Sequence, residues 1–155
     1  MPAARLSLAL AARGLNVPRN PALPALSNKA ELAKALGYKF PQIVATKLAD
    51  VYKFMKDFSL RPDQIVLKAP ESAASIGIAF PNGERMLDLK FDELMSSKDI
   101  LGRPIRELVV MPRLQGIEYV VNTVTRNGRH FITDIWRYSK RDSETGGPPL
   151  YEVDY

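Results

Sequence analysis

The sequence contains no cysteine and a single histidine, His130. The first absence excludes a disulfide framework, a thiolate zinc site and a cysteine nucleophile. The second excludes a multi-histidine metal site and a metalloprotease helix. Any chemistry must come from carboxylates, lysine, arginine, hydroxyls or a metal held by oxygen. His130 sits beside a turn and carries no assignment. No apolar stretch approaches the roughly 20 residues needed to span a bilayer. Arg5 followed by L-S-L-A-L-A-A faintly resembles a targeting sequence, but the run is short and Arg13 interrupts it, so an amphipathic helix in a cytoplasmic protein is expected. There is no internal repeat and no dense basic run. The net charge of +5 suits a polyanion such as nucleic acid, phospholipid or nucleotide phosphate. On charge alone, an ordinary mildly basic protein is the better reading.

What is present is enough for a folded core: 46% of residues are hydrophobic and 25% charged, at a length typical of one domain. A first helix over Leu6–Leu10 ends at Gly14, and Pro18, Pro21 and Pro24 then impose an extended linker. Ser27 or Asn28 can cap a helix striped by Leu32, Ala35 and Leu36 and stopped by Gly37. Phe40–Ala45 reads as a strand. Thr46 then caps a helix with Leu48, Val51, Tyr52, Met55 and Phe58 at helical spacing. Gln64–Lys68 and Ile76–Phe80 read as strands around the small-residue loop A-P-E-S-A-A-S-I-G. Met86–Leu89 reads as a segment that pairs back, Phe91–Met95 as a helical turn, and Ile105–Met111 as a strong strand. Glu118–Thr125 and His130–Tyr138 form a hairpin around Asn127-Gly128, the strongest short hairpin signal in the chain. The order predicts an α+β fold with mostly antiparallel pairing rather than an alternating parallel sheet.

Three segments have the residue types for chemistry. Lys68 ends a buried strand and precedes a loop of small and hydroxyl residues, where an ammonium, hydroxyls and loop N–H groups can hold phosphate. The order is not that of a Walker loop, in which the lysine follows the glycines. A plain strand–turn–strand would look the same. The second segment is V-V-M-P-R-L-Q-G-I-E, where a strand breaks at Pro112 and restarts at Glu118. Exposed backbone groups beside Val110, Met111 and Leu114 suit a flat base, and Glu118 can accept from ribose hydroxyls. A simple connection with an exposed glutamate is the alternative. In the third, T-D-I-W-R-Y-S-K, Asp134, Trp136 and Tyr138 share one face of a strand and Ile135, Arg137 and Ser139 the other.

In order and spacing these pieces resemble the ATP-grasp superfamily, in particular its amino-acid and dipeptide (carboxylate–amine) ligase branch. S-N-K at Ser27–Lys29 is similar to the start of that family's first helix. I-V-L-K-A-P-E-S-A-A-S-I-G-I is similar to its phosphate-binding strand and loop, V-V-M-P-R-L-Q-G-I-E-Y-V-V-N-T-V to its adenine-binding hinge, and R-N-G-R-H-F-I-T-D-I-W-R-Y-S-K to the hairpin after it. The resemblance implies that Lys29 and Lys68 contact ATP phosphates. Glu71, Ser72 and Ser75 would lie in the loop over them. Val110, Met111, Pro112, Arg113 and Leu114 would bracket adenine, and Glu118 would take the ribose. Trp136, Tyr138 and Lys140 would approach the nucleotide or the substrate. It also implies a division into a trailing helix and linker at 1–26, a first subdomain with the phosphate loop at 27–104, and the hinge with the start of a second subdomain at 105–155.

Two departures qualify it. Met111-Pro112 stands where members commonly place Gln-Glu, and no segment matches the family's magnesium-binding carboxylate or its later Glu-x-Asn. The expected reading is therefore the ATP-binding portion of a ligase that forms an acyl phosphate and then an amide bond. Its ATP cofactor is implied by the family, with Mg2+ ligands outside this chain, so the portion is incomplete and inactive alone and its standing as an enzyme is left open. An open sheet edge would invite a complementary chain or a homodimer. The alternatives are a non-enzymatic interaction or regulatory module that kept the fold, and a basic nucleic-acid-binding β-domain with aromatics such as Tyr119 and Trp136 among its cations.

Overall fold

A computed structural model describes residues 9–15, 28–37, 39–72, 76–99, 102–141 and 150–154. Within them lie α1 (Lys29–Ala35), β1 (Ile43–Ala45), α2 (Leu48–Asp57), β2 (Ile65–Lys68), β3 (Ile78–Ala79), α3 (Glu84–Met95), β4 (Leu108–Pro112), β5 (Glu118–Arg126), β6 (Arg129–Arg141) and β7 (Leu150–Asp154). Two antiparallel sheets result, one ordered β1-β4-β2-β3 and the other β5-β6-β7. The expected α+β class with antiparallel pairing is what the chain forms.

Both β2 (I-V-L-K) and β4 (L-V-V-M-P) are almost continuously apolar, the pattern of strands covered on both faces. Ile65 and Leu67 from β2 pack with Leu108 and Val110 from β4 on one face. That face is covered by Val51, Phe54 and Met55 of α2 and by Leu87, Phe91 and Leu94 of α3. Alternation sends Val66, Lys68, Val109 and Met111 to the opposite face. Val66 and Val109 are buried there too, outside the main core. The second face carries Lys68 and Met111, two of the residues expected at the nucleotide site.

The local signals explain most helix boundaries. Asn28 caps α1, its side-chain oxygen accepting from the N–H groups of Ala30 and Glu31 at 2.9 and 3.2 Å. Ser27, the other cap candidate, lies outside the described residues. At α2 the Asp50 carboxylate reaches back to the N–H groups of Thr46 and Lys47, at 3.1 and 3.2 Å, so the helix is capped from its third residue and not by Thr46. The Asn127-Gly128 hairpin forms with both residues at positive φ, 52° and 74°, the two-residue turn that the dipeptide favours.

Three expectations are corrected. Met86–Leu89 does not pair as a strand but lies inside α3. Four residues are too few to show the helical spacing of Leu87, Phe91 and Leu94, which all face the core. Ile76–Phe80 narrows to the two paired residues of β3, because Gly77 just before it adopts φ 69° and leaves the extended region. The strand expected at Ile105–Met111 begins only at Leu108. This β4, grouped by the sequence with residues 105–155, pairs with β1 and β2 in the first sheet, and the chain leaves that sheet only after Pro112.

One tie between the covering helices is polar. Tyr52 of α2 donates to Asp88 of α3 at 2.7 Å, and that carboxylate pushes the Tyr52 hydroxyl up to about 12. A group whose pKa is raised on folding contributes stability below its unfolded value, and loses it as pH rises through the folded value. Tyr52→Phe is expected to lower stability by about 1 kcal/mol at neutral pH, given partial solvent screening. The wild-type advantage should vanish between about pH 10 and 12, read by urea unfolding of both proteins across that range.

Candidate nucleotide site

Two cavities flank the loop that follows β2. The smaller, of about 260 Å³, lies on the second face of the first sheet. Lys68, Val109 and Met111 form its floor, Gln42 its edge, and Lys29, Leu32 and Ala33 of α1 with the following Leu36 its wall. One end is cationic and the rest apolar. The Lys68 ammonium lies 3.6 Å from the Met111 sulfur, so its stem runs along the sheet beside that side chain.

Lys29 is tied into the loop itself. Its Nζ donates to the carbonyl of Ser72 at 2.6 Å and that of Ala69 at 3.1 Å, and it lies 3.3 Å from Ser72 Oγ. Its backbone N–H donates to Pro70 O at 3.0 Å. Burial, and then the nearby positive charge of Lys68, lower the Lys29 ammonium from the ordinary lysine value. An anion placed between the two cations would offset the repulsion that Lys29 feels from Lys68.

The loop returns through Gly77, whose carbonyl accepts from Ala69 N–H at 2.6 Å. With φ at 69°, a Cβ on Gly77 would come within 2.8 Å of Ala69 Cβ and 3.3 Å of Ser72 Oγ. Glycine is required twice here, once by backbone conformation and once by space.

The larger cavity, of about 380 Å³, is on the other side of the loop, among Asn28, Pro70, Glu71, Asp99, Arg103 and Arg106. Two of its three acids, Glu71 and Asp99, are engaged. Arg103 pairs with Glu71 and, at 2.6 Å, with Asp99. The Arg103 guanidinium holds the Glu71 carboxyl below its ordinary value against the opposing effect of partial burial. Size alone favours this cavity, but its charges largely satisfy one another, whereas the smaller one gathers like charges beside apolar walls.

The structure thus brings Lys29, Lys68 and Met111 together around one cavity. Ser72 lies at its rim through Lys29, while Glu71 turns toward Arg103 and lines the other cavity. Ser75 lies outside the described residues. Val110 is fully buried in the main core, and Val109, which the sequence did not single out, takes the cavity-facing place beside Met111. Pro112 pairs with Ile65, and Arg113 donates its N–H to Gln64 O at 2.7 Å and lays its guanidinium over Phe80, 5.0 Å from the ring centre. Leu114 and Glu118 are exposed. Glu118 opens β5 opposite Tyr138, and Trp136 pairs with Val120 in that second sheet, apart from the residues lining the cavity. Lys140 contributes backbone opposite Tyr151, and its side chain lies outside the described residues. Among the described residues no three histidine or carboxylate side chains converge in a way that could hold a metal. No described helix is long and apolar enough to cross a membrane.

No protein-family model matches the chain. Over 90% of its length it superposes on D-alanyl-alanine synthetase A from Vibrio cholerae O1 biovar eltor str. N16961, with a TM-score of 0.65 and 17% identity. The fold is of the ATP-grasp type. The resemblance read from the motifs also holds in sequence, since 91 residues are 32% identical to dapdiamide A synthase of Enterobacter agglomerans. The chain spans 21% of the length of that synthase and 42% of the D-alanyl-alanine synthetase chain. Sequence reasoning missed Gln42 and Val109 in the smaller cavity, Gly77 in the loop beside it, and Asp99 and Arg103 in the larger cavity. Only Gly77, inside the quoted loop, carried a signal that could have found it.

Proposed function

We propose that this chain is the nucleotide-binding portion of an ATP-dependent carboxylate–amine ligase, working in the cytoplasm. The carrying observation is the cavity in which Lys29 and Lys68 meet the apolar surface of Leu32, Val109 and Met111. Phosphates would lie toward the two ammonium groups and the loop of Ala69–Ser72. The base would lie against Met111 and Val109. The cavity is near the lower limit of small-molecule sites, roughly 300 Å³, which suits part of a nucleotide rather than the whole. The names of the two similar proteins, both synthases or synthetases, support an amide-forming role. Magnesium would supply charge neutralisation between the phosphates when bound. The described residues offer no carboxylate cage for it. We therefore take the 155-residue polypeptide alone to bind ATP without turning it over. The edges of both sheets, β1 and β3 in one and β5 and β7 in the other, are where a complementary chain or a second copy would add.

Calorimetric titration with ATP, with and without magnesium, tests the reading. Binding is expected with Kd on the order of 100 μM, and no ADP should appear when amino acids are added. Absence of any ATP heat or competition up to millimolar concentrations would remove the proposal.

A further inference from the structure

The loop over the proposed phosphate site contains a carboxylate, Glu71, which a triphosphate would repel. The structure keeps it on the far side. Lys29 gathers the loop carbonyls of Ala69 and Ser72 toward the smaller cavity, while Glu71 lines the larger one, where it meets Arg103. Arg103 is itself fixed. Its N–H donates to Asp99 Oδ1 at 3.0 Å, its Nε to Asp99 Oδ2 at 2.8 Å, and its carbonyl accepts from Asp99 N–H at 2.8 Å. Pro104 bridges Lys98, and Ile105 N–H donates to Ser97 O at 3.1 Å, so this turn is anchored at the end of α3 and leads toward β4, the strand that supplies Val109 and Met111.

We propose that Arg103 is a positioning residue for the nucleotide site: by pairing with Glu71 it holds the loop carboxylate away from the phosphates and fixes the loop in its binding shape. This rests on the nucleotide reading above. The physical basis is that a carboxylate released within a few ångströms of a triphosphate repels it strongly where water is partly excluded. Arg103 touches no part of the cavity that holds Lys29 and Lys68, so its influence passes through Glu71.

The test is a mutant cycle read by ATP titration, with thermal unfolding of each nucleotide-free protein alongside. Arg103→Gln should weaken ATP binding roughly tenfold. Glu71→Gln alone should bind as well as wild type or better, and Arg103→Gln combined with Glu71→Gln should regain most of the lost affinity. Arg103→Lys, which keeps the charge, should stay close to wild type, and it carries the test if Arg103→Gln fails to fold. A merely structural arginine would leave the double variant as weak as Arg103→Gln. That result, unchanged ATP affinity in folded Arg103→Gln, or a tenfold loss in folded Arg103→Lys overturns the proposal. A wild-type protein that binds no ATP overturns the nucleotide reading and this inference with it, and the wild-type arm alone tells the two failures apart.

Discussion

Lys68→Met is expected to weaken ATP binding about 30-fold, the equivalent of about 2 kcal/mol for a lost charge-assisted contact to phosphate. Methionine preserves the apolar stem that runs beside Met111, so the sheet face should stay packed and the change should isolate the charge. The loss is limited by Lys29. Removing the Lys68 charge relieves one of the two causes that lower the Lys29 ammonium, leaving burial alone, so Lys29 is protonated more readily in the variant. A second readout follows. Because Lys29 holds its proton less tightly in the fold than in the unfolded chain, wild-type stability rises with pH between the folded value and the ordinary lysine value of 10.5. In Lys68→Met that rise should shrink. Titration of both proteins with ATP at two salt concentrations, plus unfolding at pH 8 to 10, checks this. A Kd within about threefold of wild type would remove Lys68 from the site.

Gly77→Val should be the most destabilising single change near the loop, by about 2–4 kcal/mol. The backbone at φ 69° disfavours any branched side chain, and the new Cβ would press on Ala69 Cβ, a neighbour with no flexible end to move. Ala69 is fully buried and donates its N–H to the Gly77 carbonyl, so neither partner can retreat without breaking the join between β2 and β3. ATP affinity should fall with stability, since Ser72, which meets Lys29, is also displaced. Denaturant unfolding of Gly77→Ala and Gly77→Val measures the two causes in turn. Alanine incurs the conformational cost and the first contact, and valine adds its branches. If valine is tolerated within about 0.5 kcal/mol, the loop is not seated as described.

The fold was largely readable because its elements carry strong local signals. Asn28 sits before a short amphipathic stretch, Asn127-Gly128 joins two β-rich runs, and the apolar runs at Ile65–Lys68 and Leu108–Pro112 mark strands covered on both sides. Where a local pattern was ambiguous it misled. Met86–Leu89, taken by itself, is too short a span for the helical spacing that includes Phe91 and Leu94 to show.

The site divides in the same way. Sequence alone determined that Lys68 ends a buried strand before a small-residue loop, that Lys29 opens a capped helix, and that the apolar strand breaks at Pro112, because each depends on residues adjacent in the chain. Tertiary structure decided which hinge residue faces the cavity. The register of β4 against β2 sends Val110 into the core and leaves Val109 and Met111 beside Lys68, and a shift of one residue would reverse that choice. It also decided that Glu71 turns away from the cavity of Lys29 and Lys68, because its partner Arg103 lies 32 residues further along the chain. A contact across that separation exists only once α3 and its turn have packed against the sheet, and no local pattern encodes it.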